Sequence, residues 1–132
     1  MLIERTRLPF SIENVYGGFA KVNGILSVRK DILILEFQVK ENVFGGLVKS
    51  RPKELNIPFR DLESVEFKKN WFAASFYVRV YRLQDIADVP GNDDGQIKLK
   101  IKRKDREKAA TLASHIALRI SEIRLDMMDQ ED

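Results

Sequence analysis

Cysteine is absent from this chain of 132 residues. That excludes disulfides, thiolate metal sites and a thiol nucleophile, and it fits a reducing compartment. Histidine is nearly absent. His115 stands alone, and without a second His or any Cys it cannot build a zinc site. No serine sits on the glycine-flanked elbow that a serine hydrolase needs. Long apolar runs are missing too. The longest, "ILILEF" (32–37), already contains Glu36 and falls far short of the ~20 residues that span a bilayer. The opening "MLIERTRLPF" carries Glu4 and no apolar stretch of signal-peptide length, so a cytoplasmic protein is expected. Gly45-Gly46 precede Lys49-Ser50 without the spacing of a phosphate-binding loop. "NDDG" (92–95) lacks the alternating carboxylates and distal Glu of a calcium loop and reads as a turn. These absences leave no catalytic residue, metal ligand or cofactor site to nominate, and a non-enzyme is expected.

What the chain does have is charge and alternation. Net charge is +3, unevenly spread. Asp126, Asp129, Glu131 and Asp132 make an acidic tail, so the body before it is more basic than the total suggests. In "IKLKIKRKDREK" (97–108), seven of twelve residues are Lys or Arg. A basic body permits attraction to anionic partners without choosing among them.

Residues 8–103 read mostly as strands. "GILSVRK" (24–30) and "DILILEFQVK" (31–40) alternate, with Leu33, Leu35, Phe37 and Val39 on one face. "RKD" (29–31) joins them as a tight hairpin. "KELNIPF" (53–59) alternates through Leu55, Ile57 and Phe59, with Pro58 marking an edge or a strand end. "LESVEFKK" (62–69) points Val65 and Phe67 inward. "WFAASFYVRVYRL" (71–83) places Phe72, Phe76, Val78 and Val80 inward by parity. "ENVFGGLVKSRPK" (41–53) reads as a flexible hairpin loop. "QIKLKIK" alternates strictly, with Ile97, Leu99 and Ile101 inward and Lys98, Lys100 and Lys102 outward. From about Asp105, a plausible N-cap, the period changes. Ala109, Leu112, Ala113, Ile116, Ile120, Ile123 and Met127 form one apolar stripe of a long helix. The expectation is a single domain over 1–132, with its core in about 8–125 and an acidic tail at 126–132. Its class is mainly β with one helix: a curled antiparallel sheet or small barrel of about seven strands, capped by the C-terminal amphipathic helix.

Three stretches carry a resemblance: "GILSVRKDILILEF" (24–37), "ELNIPFRDLESVEFKK" (54–69) and "VPGNDDGQIKLKIKRKDREKAATLASHIALRI" (89–120). In pattern and order the chain resembles the pleckstrin-homology-like superfold, in particular its bacterial and GRAM-like members. The resemblance implies a scaffold that binds phosphoinositides, peptides or other proteins and is rarely an enzyme. The basic pattern that phosphoinositide-binding members carry across the first strand pair is incomplete here. Lys21, Arg29 and Lys30 are present, but Ile25, Ser27 and Asp31 occupy neighbouring positions.

Two sets of residues are candidates for binding. Lys68, Lys69 and Trp71 at a hairpin tip, with Lys98, Lys100, Lys102 and Lys104, form a cationic set suited to anionic lipid. The same lysines also suit a solvated strand that resists pairing with another chain. Tyr77 and Tyr81 on the outer sheet face, with Leu118 and Leu125 seven residues apart on the helix, are candidates for an interface. The leading expectation is an interaction module that engages a protein or peptide through its barrel edge, the 44–53 loop and the outer-face aromatics. A homo-oligomer is compatible with it. A peripheral binder of anionic membranes is the alternative. Nucleic acid is disfavoured, because no aromatic RNA-binding motif accompanies the charge.

Overall fold

A computed structural model describes residues 3–43 and 45–130. Phe44, within the 44–53 loop, and Glu131 and Asp132 of the acidic tail lie outside the described residues. Eight antiparallel strands form one curled sheet that does not close. They are β1 (Leu8–Val15), β2 (Ala20–Arg29), β3 (Ile32–Val43), β4 (Gly46–Lys49), β5 (Lys53–Pro58), β6 (Leu62–Lys69), β7 (Ala74–Val80) and β8 (Gln96–Lys100). A single long helix, α1 (Arg106–Gln130), follows.

The strand order is β4-β3-β2-β1-β8-β7-β6, and β5 also pairs with β3. β4 lies against the far end of β3, with Lys40 opposite Lys49. β5 lies against its near end, with Ile32 opposite Pro58. The β2–β3 hairpin turns on Lys30 and Asp31, both at positive φ (49° and 59°). Positive φ at both central residues is the twist that matches two strands joined by a two-residue turn. β1 and β8 pair at Ser11 and Lys100. There the chain turns the corner between the β1–β5 half and the β6–β8 half.

Alternation explains the core. Leu8, Phe10 and Ile12 of β1, Leu33, Leu35 and Phe37 of β3, and Ile97 and Leu99 of β8 all point inward and are buried. The two ends of the sheet, β5 and β6, part at a 3-10 turn (Phe59–Asp61) and do not pair. α1 lies along β6 and this turn. Its buried stripe is Ala109, Leu112, Ala113, Ile116 and Ile120, with Ile123 packed at the margin. The helix therefore completes the core where the ladder stops.

Several expectations need correction. Residues 46–49 form a strand, not part of a loop, although all four are exposed. With no buried face, they show no alternation to read. Phe72 does not point inward. β7 begins only at Ala74, so strand parity does not extend to the turn, and Phe72 is 89% exposed. Ser75 alternates with the inward Phe76, a parity that puts it on the outer face with Tyr77, yet it is buried, with Lys68 and Lys100 as its cross-strand neighbours. Met127 is exposed because the last turns of α1 run past the sheet. Asp105 ends a 3-10 turn (Arg103–Asp105) and is buried. Its Oδ2 oxygen has no hydrogen-bond partner, so that oxygen does not cap the helix.

Candidate functional site

The edge of β6 is the first surface to consider. β6 pairs only with β7, so its other side presents main-chain groups with no strand beside them. Such an edge is a template for another chain. Its first residues are blocked. The Arg124 guanidinium donates hydrogen bonds to the carbonyl oxygens of Glu63 and Leu62 and to the Tyr81 hydroxyl, and it stacks over the Tyr81 ring. Beyond that block, β6 and α1 enclose a groove of about 360 Å³. Its sheet wall is Val65, Glu66, Phe67 and Lys68. Its helix wall is all small: Ala110, Ala113, Ser114 and Ala117. Large side chains here would have closed the groove. The small ones let the helix approach β6 at one level and leave space at the next.

A second concavity, about 820 Å³, lies between the β2–β3 hairpin and α1. Arg119 crosses it. Its Nε and Nη2 donate to the two Asp31 oxygens at 3.1 and 2.7 Å, and its Nη1 donates to Glu122 at 3.2 Å. Paired and charge-assisted in this way, Arg119 holds the Asp31 carboxyl below its usual range, with a smaller contribution from nearby His115. Arg119 itself is shifted upward by the same carboxylate. The guanidinium is thus committed to neighbours, and this pair ties the hairpin to the helix.

The predicted cationic set falls into two parts. Lys68, Lys98 and Lys100 lie on the outer face of β6–β8. Lys68 and Lys98 stand over the Tyr77 ring at 5.4 and 6.0 Å from its centroid. Lys68 also pairs with Glu66, and Lys100 with Glu13 at 3.2 Å. The hydrogen bond from Lys100 lowers the pKa of Glu13. Lys69 and Trp71, by contrast, sit at the β6–β7 tip, and Lys102 and Lys104 flank the start of α1 beside it. Arg103 joins them. Its guanidinium donates to the Trp71 carbonyl at 2.7 Å and lies over the indole at 5.7 Å.

The four interface candidates do not form one patch. Tyr77 is half-buried beneath its two lysines, and Tyr81 is clasped by Arg124. Leu118 and Leu125 are each 62% exposed on the outer side of α1.

Sequence reading missed several features. Pairing aligns Lys21, Lys40 and Lys49 across β2, β3 and β4, a like-charge row that register alone reveals. The helix wall of the groove was legible only at Ala113, which belongs to the apolar stripe; Ala110, Ser114 and Ala117 give no signal until something faces them. Among the described residues, no group of His, Asp and Glu could hold a metal ion, and no helix is long and apolar enough to cross a membrane. No family model matches this chain, no curated protein matches its sequence, and no solved structure matches its fold.

Proposed function

We propose that this chain is a pleckstrin-homology-like interaction module that takes an extended peptide as an added strand along β6. The observation that carries the reading is the unpaired β6 edge lying beside a groove walled by small helical residues. Main-chain hydrogen bonds would supply affinity, and alternate side chains entering the groove would supply specificity. The Arg124 block at Leu62 and Glu63 limits the added strand to the stretch beside Ser64–Lys69. Val65, Phe67 and Ala113 make an apolar floor, so the occupant presents an apolar side chain there. Glu66 and Lys68 at the rim favour a partner carrying both charge signs. No step of bond chemistry is involved.

The test is selection of binders from a random-peptide display library, followed by amide mapping of the best peptide. Shifts should cluster at residues 64–68 and 110–117. Ala117→Arg, placed at an exposed groove position, should weaken binding by about tenfold or more and leave the unfolding midpoint unchanged. Peptides that map elsewhere, or that bind the variant equally well, would sink the reading.

A further inference from the structure

The β6–β7 tip is built differently from the groove. The turn Asn70–Ala73 closes with a hydrogen bond from the Asn70 amide to the Ala73 carbonyl at 2.8 Å. The Asn70 side-chain oxygen accepts from the Phe72 and Ala73 amides at 2.9 and 2.8 Å. This side chain stands in for backbone and fixes the turn. The Arg103 contacts brace it from the side. The result is a stiff four-residue tip that holds two aromatic rings in water: Trp71, 75% exposed, and Phe72 beside it. Lone exposed apolar residues need no explanation. Adjacent aromatics fixed outward by dedicated hydrogen bonds do.

Exposed charge close to the tip is basic; the neighbouring Asp105 is buried, and exposed Glu107 lies further on, in the first turn of α1. Lys69, Lys102, Arg103 and Lys104 surround it. Among the described residues Lys69, Lys102 and Lys104 have no ion-pair partner, and the nearest acid on β6, Glu66, is taken by Lys68. A convex tip suits a yielding surface better than a preformed protein pocket. Tryptophan favours the headgroup level of a bilayer, and Lys and Arg just behind it gain from anionic headgroups.

We propose that this tip is a docking foot for an anionic lipid bilayer, with Trp71 and Phe72 entering the interface and Lys69, Lys102, Arg103 and Lys104 meeting the phosphates. This binding does not require an occupied peptide groove, although Lys69, at the end of β6, borders both surfaces. It needs no headgroup-specific pocket and reads surface charge and apolar depth only. A molecule docked this way would present whatever it holds at β6 close to the membrane.

Trp71 is the only tryptophan, so the protein carries its own probe. The full chain is titrated with vesicles of phosphatidylcholine mixed with phosphatidylserine, and separately with phosphatidylcholine alone. Trp71 emission should move to the blue with the anionic vesicles and be quenched by brominated acyl chains. It should change little with the neutral ones, and the effect should fade as salt is raised. Phe72→Ser, at a position with no packing to lose, should weaken partitioning with the circular dichroism spectrum unchanged. Lys102→Glu with Lys104→Glu should weaken it by more than about tenfold. Emission unmoved by anionic vesicles overturns the proposal. So does a shift that the charge-reversed variant retains in full, or a response to an RNA oligonucleotide in place of vesicles.

Discussion

Gly24 shows how much a single position can demand. It lies on the inner face of β2, paired with Phe10 on one side and Phe37 on the other. A Cβ placed there would meet the Glu36 carbonyl oxygen at 2.4 Å and the Phe10 ring at 2.5 Å. Backbone on one side and a buried ring on the other leave nowhere to move. Gly24→Ala should therefore cost about 1–3 kcal/mol, read as a lowered urea midpoint. Asp31 makes a different demand. Arg119 depresses its pKa, so the folded carboxyl binds its proton less tightly than the unfolded one. Stability from this pair is fully present above the unfolded value of about 3.9 and is lost as pH falls through the lower folded value. Asp31→Asn should flatten the acid limb of a stability–pH curve in that window and leave its slope near neutral pH unchanged. Neither residue announces its role in sequence. Gly24 resembles any strand glycine, and the partner of Asp31 is 88 positions away.

At the level of elements, α1 was the most legible. Its stripe from Ala109 to Ile123 follows the helical period, and the structure buries it against β6 and the Phe59–Asp61 turn. Periodicity says which face is apolar but not how far the neighbouring surface extends, and so Met127 was wrongly included. Ile116→Ala should destabilise by about 2–5 kcal/mol. Leu125→Ala should stay within about 0.5 kcal/mol, as thermal unfolding of the two variants would measure. β4 was illegible for the opposite reason. A strand exposed on both faces has no pattern, and only its ladder with Lys40–Val43 defines it. The connection between β7 and β8 was also under-read. Its turn formers were plain, but the burial of Ile86 and Val89 beneath it was not.

For the whole molecule, the open seam is decisive. A closed barrel would seal its apolar core behind an unbroken hydrogen-bonded wall, whereas here β5 and β6 part and α1 covers the breach. A chain ending at Lys104 should lose sharp, cooperative unfolding and bind a hydrophobic dye such as ANS. A transition as steep as that of the full chain would mean that the sheet stands without its helix. The sequence by itself determined the class of this protein: mainly β, with one amphipathic helix at the end. Hydrophobic period is a local property, and each strand or helix declares its wet and dry faces through its own side chains. Tertiary structure alone decided what lies next to what. It set the β6 edge beside a wall of small residues, braced an aromatic tip with an arginine from the start of the helix, and brought three lysines into one row. Those are properties of distance between segments remote in the chain, and no single segment's pattern contains them.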